Sequence, residues 1–352
     1  MSANGDGANT GWLGAHGKLW YDDRWYRIAW LVWPQAIGMF LFVSLWLFHP
    51  GGQGFLPWSK PAAQTQQAQQ TPPIQQTQPT APPAPVQQPY VPPQPSPPVD
   101  VLDACKGDDH AKIIQDCTAL LASGNLKGNN IPYAYWHRGY AYYSTKQYQL
   151  AMNDYDRAIA MLPGYADFYT DRGALWVDLE NNQRALQDFE QAIALKPDDA
   201  IAHMNRGIAL RNLKRPNEAQ IALTKAIELD STQSSAFENR AFIYEDNSNW
   251  RGVYDDANKL IELQPDYRMG YEFRGHAYLE VGQYQPAIAD FTKAISIDPD
   301  AIYGYRMRGR AYYFLNQFDN AMKDFDAALR IDAKDSETIS FVNDLKRKQR
   351  GR

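Results

Sequence analysis

The dipeptide Arg-Gly returns every 34 residues, at Arg138-Gly139, Arg172-Gly173, Arg206-Gly207, Arg274-Gly275 and Arg308-Gly309, with Arg240-Ala241 on the remaining beat. A fixed period of this size restricts a chain to an array of like units, each too small to close its own core and stable only when stacked on the next. Taking Pro132 as position 1, the units begin at Pro132, Ala166, Ala200, Ser234, Arg268 and Ile302. Position 8 is then Gly139, Gly173, Gly207, Ala241, Gly275 and Gly309, and position 20 is Ala151, Ala185, Ala219, Val253, Ala287 and Ala321. Position 24 carries the bulk, as Tyr155, Phe189, Leu223, Ala257, Phe291 and Phe325, and position 27 is small again, as Ala158, Ala192, Ala226, Leu260, Ala294 and Ala328.

A glycine inside a helix costs about 1 kcal/mol relative to alanine, so its regular return needs a compensating gain, and close approach of a second helix supplies one. The aromatic at 24 is the knob that fills the space beside the small residues. Proline near the end of the unit, at Pro163, Pro197, Pro265 and Pro299, stops the second helix, while Ser231 and Ala333 depart from that pattern. The set of small residues at 8, 20 and 27, an aromatic at 24 and proline at 32 resembles the tetratricopeptide repeat. The resemblance implies an all-α solenoid, a right-handed superhelix of antiparallel helix pairs, with six full repeats over residues 132–334. In the fourth unit Val253, Ala257 and Leu260 invert the small-large-small order, and a local change of curvature between Ser231 and Asn258 is expected there.

A stack must be closed at both ends. At residues 335–352, Asp335-Ser336 can cap a helix that turns Ile339, Phe341, Val342 and Leu345 toward the last unit. The run "KRKQRGR" that follows reads as the solvated end of that helix, where cations suit the dipole, or as a patch for an anionic partner. At residues 101–131, "KIIQDCTALL" repeats the second helix of a unit, with Cys117 where Tyr155 sits, so this segment is a half-repeat. Cys105 lies just before it. A Cys105–Cys117 disulfide is expected if this part of the chain is outside the cytoplasm, and two buried thiols if it is inside.

Arginine at position 7 is matched by aspartate at position 23, as Asp154, Asp188, Asp256, Asp290 and Asp324, with Ala222 the exception. Both positions flank the small-and-aromatic contact, so an Arg–Asp ladder explains them; an anion-binding ladder is the functional alternative.

Upstream of the repeats the composition changes twice. Residues 28–48, "IAWLVWPQAIGMFLFVSLWLF", hold no charged side chain, and roughly 21 residues at 1.5 Å per residue match a hydrocarbon core about 30 Å thick. Tryptophans at both ends suit the headgroup level. A cleaved signal peptide would have a shorter apolar stretch and a small-x-small site, and none precedes "KPAAQ" at Lys60. Lys18, Arg24 and Arg27 precede the span and only Lys60 follows closely, which places residues 1–27 in the cytoplasm and the repeats on the far side. Residues 49–100 are a linker rich in Pro and Gln, without a charge between Lys60 and Asp100, too poor in apolar surface to order. Its polyproline tendency makes it a spacer reaching on the order of 100 Å. The PxxP spacings from Pro79 and Pro92 lack the flanking basic residues of SH3 ligands.

A net charge of −5, mild and without a concentrated basic face, excludes a nucleic-acid binder. His137, His203 and His276 occupy three different repeat positions and share no metal-binding spacing, and no HExxH, P-loop, G-x-S-x-G or GxGxxG is present. No catalytic residue, cofactor, metal or small-molecule substrate is therefore expected. Binding is expected, because stacked repeats present a long concave face. In the resembled family that face carries positions 2, 5, 9, 12 and 13. Carried onto this chain they are Tyr133, Trp136, Tyr140 and Tyr143 in the first unit. Asp178, Arg211, Glu238, Glu245, Asp246, Glu272 and Glu280 follow in the middle, and Tyr303, Arg306, Arg310 and Tyr313 in the last.

Aromatic anchors with an acidic middle point to a protein or peptide partner bearing apolar and basic groups, on a non-catalytic, membrane-anchored scaffold. The plainer alternative is that the aromatics cover the end repeats and the acids keep the solenoid soluble. The Lys and Asn with which chaperone-binding members grip a carboxylate are absent, since positions 5 and 9 are Trp136 and Tyr140, then Thr170 and Ala174. The layout resembles bacterial envelope proteins, which implies an inner-membrane anchor and a periplasmic solenoid. A cell-wall glycan binder, with Trp136, Tyr140 and Tyr143 stacking on sugar rings, is the rival reading.

Overall fold

The computed structural model describes residue 105 and residues 107–350. The expected membrane helix at 28–48 and linker at 49–100 lie outside the described residues, and among those described no helix is long and apolar enough to cross a membrane. Fourteen α-helices and no strand make up the described chain. A single helix, α1 (His110–Ser123), precedes six pairs: α2 (Asn130–Ser144) with α3 (Tyr148–Met161), α4 (Ala166–Asp178) with α5 (Asn182–Leu195), α6 (Ala200–Asn212) with α7 (Pro216–Leu229). The series continues with α8 (Ser234–Asp246) and α9 (Trp250–Leu263), α10 (Arg268–Glu280) and α11 (Tyr284–Ile297), α12 (Ile302–Phe314) and α13 (Phe318–Ile331), and ends on α14 (Ser336–Arg350). The half-repeat, the six repeats and the capping helix of the expected solenoid are all present. Each helix packs on its neighbours in the chain, and consecutive first helices, α2, α4, α6, α8, α10 and α12, also touch one another. They therefore line one side of the stack.

The glycine at position 8 is where the two helices of a pair meet. A Cβ built on Gly173 would stand 2.5 Å from Cε1 of Phe189, and one on Gly309 would stand 2.7 Å from Cε1 of Phe325, closer than real side chains approach. Tyr155, Phe189, Phe291 and Phe325 are fully buried by this contact. The fourth pair reaches the same end by exchange. Ala257 replaces the ring, Val253 and Leu260 restore the lost volume and are themselves buried, and the Tyr244 ring fills the space that a side chain on Gly252 would need. Its helices keep the 13 and 14 residues of the second, third, fifth and sixth pairs.

Arginine at position 7 ties each pair together. Arg172 donates through Nε and Nη2 to the two oxygens of Asp188, both near 2.8 Å, and Arg138, Arg240, Arg274 and Arg308 repeat the same fork onto Asp154, Asp256, Asp290 and Asp324. All five aspartates are buried. The remaining Nη1 reaches back one unit. It donates to Thr118 from Arg138, Asp156 from Arg172, Thr224 from Arg240, Asn258 from Arg274 and Thr292 from Arg308. Arg206, opposite Ala222, keeps only the backward link, to Glu190 at 3.7 Å. One guanidinium thus joins three helices, which a fork of five donors can do and a lysine cannot.

The turns follow one plan. Within each pair the residue at position 15 has positive φ, as Lys146, Glu180, Lys214, Ser248, Gly282 and Asn316. The next amide closes onto the carbonyl of position 11, as in Asn181 to Trp176 and Gln283 to Tyr278, ending the first helix. Between units, position 4 pins the proline turn: the Tyr169 and Tyr271 hydroxyls donate to the carbonyls of Pro163 and Pro265, and the His203 ring meets that of Pro197 at 3.0 Å. His203 is accounted for as a turn residue.

At the ends, Asp335 accepts from the backbone N–H of Thr338, as a cap should, and Phe341 stacks on Phe325 with centroids 5.4 Å apart. Thr338, Val342 and Leu345 are buried, whereas Ile339 is 37% exposed. The expected face is corrected by one position: capping by Asp335 starts the helix so that Thr338, not Ile339, falls on the Phe341–Leu345 side. Cys105 and Cys117 are both buried with Cα atoms 5.2 Å apart, a separation a disulfide spans.

Gly173→Ala is expected to lower the urea midpoint, because overpacking against the Phe189 ring costs about 1–3 kcal/mol and outweighs a helix-propensity gain of at most about 1 kcal/mol. Gly164→Ala, with open space around it, leaves the midpoint unchanged. Asp188→Ala strands the Arg172 fork and costs about 3 kcal/mol on the same measurement, the loss expected when one partner of a buried pair is removed.

Candidate functional site

Because the first helices touch in succession, their inward positions form a strip that crosses all six units, and most of its side chains are already engaged across the gap between helices. At the N-terminal end Tyr133 is buried, its ring 4.9 Å from that of Tyr165 and 5.6 Å from that of Phe168. It packs between units and is no contact residue, a correction to its expected role. Trp136 is half-buried among Tyr165, Phe168 and His137, and its indole N–H donates to Oδ2 of Asp171 on α4 at 2.6 Å. Tyr140 meets His110 edge-on, and Tyr143 lies against Tyr148 with its hydroxyl hydrogen-bonded to Asp178. Burial pushes the Tyr143 phenol well up, and the Asp178 bond adds to the rise.

The middle of the strip is a charge network. His276, on α10, lies with Nδ1 at 2.5 Å from Glu245 of α8 and Nε2 at 3.6 Å from Glu280 on its own helix, and Glu280 in turn pairs with Arg310 of α12 at 2.9 Å. The Tyr303 hydroxyl stands 3.1 Å from His276 Nδ1, and the Trp250 ring 5.1 Å from the imidazole. Burial alone would lower the His276 pKa, but the bonds and charges of Glu245 and Glu280 outweigh it and push it up to about 9. Glu238 accepts from the Tyr267 hydroxyl at 2.9 Å, and Arg211 lies over the Phe242 ring at 5.1 Å, with its own pKa lowered by burial.

Glu272 is only 2% exposed and is bonded to Arg268, which also faces Asp298 at 3.3 Å. Its depth removes it from the set that a partner can touch, and Tyr303, also buried, leaves with it. At the C-terminal end Arg306 pairs with Asp335 and Glu337, and Tyr313 donates to Asp344 while Lys348 donates to Tyr313. Both are thereby committed to α14.

The acidic middle is largely neutralised from within, so the expected gradient shifts. Glu245 and Glu280 face His276 and Arg310, and Glu272 faces Arg268. Asp246 remains exposed. Inner-face acids with neutral hydrogen-bond partners are Glu238, bound to Tyr267, and Asp171 and Asp178, bound to Trp136 and Tyr143 at the other end. His276 was passed over because its position repeats in no other unit; the signal was the pair of acids, Glu245 and Glu280, flanking it on neighbouring inner positions. Asp171 sits at position 6, outside the five expected positions, although it shares their face. Among the described residues no group of three or more His, Cys, Asp or Glu side chains is arranged to hold a metal ion.

Three family models, each described as a tetratricopeptide repeat, match residues 139–204, residues 270–301, and both 200–233 and 304–335. The curated proteins give no match. Among solved structures, pilF of Pseudomonas aeruginosa is similar with a TM-score of 0.56 at 18% identity, over 62% of this chain and 100% of that one. The Cut9–Hcn1 assembly of the APC/C gives 0.52 at 11% identity, over 67% and 52%. YrrB, described as a TPR protein with an unusual peptide-binding site, gives 0.49 at 17% identity, over 54% and 97%. The first two likenesses bear out the helical solenoid, and at these identities they speak of fold alone.

The His276 network makes stability depend on pH. A group whose pKa rises from about 6.5 in the unfolded chain to about 9 contributes fully below pH 6.5 and is lost as pH climbs through 9. Thermal melts of the wild type are expected to lose more stability between pH 7 and 10 than those of His276→Gln, and parallel curves would show that the imidazolium contributes nothing.

Proposed function

We propose that this chain, which belongs to the tetratricopeptide repeat family, is a non-catalytic scaffold that binds a peptide or protein partner along the inner strip of its first helices and is held at a membrane. The observation that carries the reading is the succession of contacts from α2 through α4, α6, α8 and α10 to α12. Such contacts turn six separate helix faces into one continuous surface, long enough for an extended segment to engage several units at once. Binding then draws on many modest contacts across the strip, with half-buried rings at one end and charged rungs along the middle.

Residues 28–48 anchor the scaffold as a single membrane-spanning helix, with residues 1–27 in the cytoplasm and the Pro/Gln linker of 49–100 as a spacer on the other side. In a Gram-negative bacterium this puts the solenoid in the periplasm, working in envelope assembly. An oxidising compartment favours a Cys105–Cys117 bridge, which would brace the half-repeat.

The test uses the full chain in its native envelope with a photo-crosslinking residue placed singly at Asp178, Asp246 or Arg310 on the inner strip, or at Ile221, which is 69% exposed on α7. The same polypeptide is expected at all three inner sites and not at Ile221. Capture from Ile221 alone, or co-sedimentation with purified peptidoglycan that Trp136→Ala abolishes, would overturn the protein-scaffold reading. A reporter enzyme fused after Lys60, active only in an oxidising compartment, is expected to be active, and thiol alkylation is expected to label the cysteines only after reduction.

A further inference from the structure

We infer that the rung between α2 and α4, walled by Trp136 and Tyr143 and floored by Asp171 and Asp178, is a subsite for a lysine or arginine side chain of the bound segment. The inference rests on the proposed inner-strip binding and names the chemistry that one part of the strip selects.

Asp167, Asp171 and Asp178 lie four and seven residues apart on α4 and so share one face of the helix. All three are half-buried, open enough to be reached. Lys196, whose charge acts on Asp167, is already spent: it pairs with Asp199 at 3.4 Å. Asp171 accepts from the neutral indole of Trp136, and Asp178 is bound by the neutral phenol of Tyr143. Farther along the strip the pattern is different, since Glu245, Glu272 and Glu280 each face an arginine or His276, and Glu238, bonded to Tyr267, is acted on by the charges of Arg211 and Arg268. Asp171 instead is bonded to an indole, and the charges that act on it, those of Asp167 and Asp199, are like its own.

The uncompensated charge costs stability. Burial pushes the Asp171 carboxyl up to about 7, the Trp136 bond works against the rise, and the like charges of Asp167 and Asp199 add to it. Asparagine at this position would accept the same indole hydrogen bond without the cost, so the hydrogen bond alone does not explain an aspartate. A bound cation does, because it supplies the missing counter-charge in a partly desolvated place where an ion pair is stronger than in water. The rings complete the argument: a lysine or arginine stem packs along aromatic surface while its head reaches the carboxylates, and the ring faces attract the charge further. An anionic segment is repelled by the same group, and a sugar has no use for the charge.

The experiment measures binding of four fluorescent nonapeptide pools to the full chain, with random flanks and Lys, Arg, Gln or Glu fixed at the centre. The Lys and Arg pools are expected to bind about tenfold more tightly than the Gln pool, with the Glu pool weakest and the gap narrowing as salt rises. Asp171→Asn is expected to bring the Lys and Gln pools close to parity while raising the melting temperature at pH 7.5. Asp246→Asn, which removes an exposed inner carboxylate elsewhere, leaves the preference intact.

Preference for Lys that survives Asp171→Asn combined with Asp178→Asn would overturn the inference, as would failure of the Lys pool to bind. If all four pools bind equally and Phe242→Ala weakens them all, the scaffold stands and the cation subsite falls. If binding is indifferent to every inner-strip substitution, the scaffold reading falls and takes the subsite with it.

Discussion

At the centre of every helix pair but one, a bulky side chain from the second helix occupies the space that a side chain on the first helix would need. The axes can approach only because position 8 has no Cβ, and once they do, the ring at position 24 is sealed and the arginine at position 7 comes within reach of the aspartate at 23. The fourth pair, with Ala241 against Ala257, keeps the Arg240–Asp256 fork by moving bulk to Val253 and Leu260. Close approach therefore comes first, and the ion pair depends on it. The arginine then carries the order outward, since its remaining donor meets the preceding unit and sets how one pair sits on the next.

That hierarchy accounts for what could be read in advance. Contacts made within a unit by the same residue types, such as Gly173 with Phe189 or Arg308 with Asp324, repeat at a fixed spacing and were legible from the period alone. Contacts across units were less so, because position 25 accepts the arginine as Thr, Asp, Glu or Asn and shows no constant residue. The left-handed turn at position 15 was hidden for a similar reason: only Gly282 among the six announces it, and Lys146, Glu180, Lys214, Ser248 and Asn316 adopt it without a glycine.

The inner strip was legible in place but not in chemistry. Its positions follow from the repeat, yet whether an acid there is available depends on which cation its own or the adjacent helix delivers. Glu280 is taken by His276 and Arg310, Glu272 is sunk beneath Arg268, and Arg306 and Tyr313 are drawn into the cap. Asp171, which no repeat position singled out, is left with an indole. Acids without an ion pair thus also lie beside the first-unit aromatics, where the sequence reading had put rings at one end and acids in the middle.

The whole account requires that each unit be stabilised only by the units beside it, with the inner strip a by-product of stacking and no single core beneath it. Native-state hydrogen exchange measured helix by helix addresses this directly. Protection is expected to be greatest in the central pairs and to fall toward α1 and α14, which among the described residues pack on a helix on one side only. Equal protection in all fourteen helices, lost together in a single opening, would contradict it.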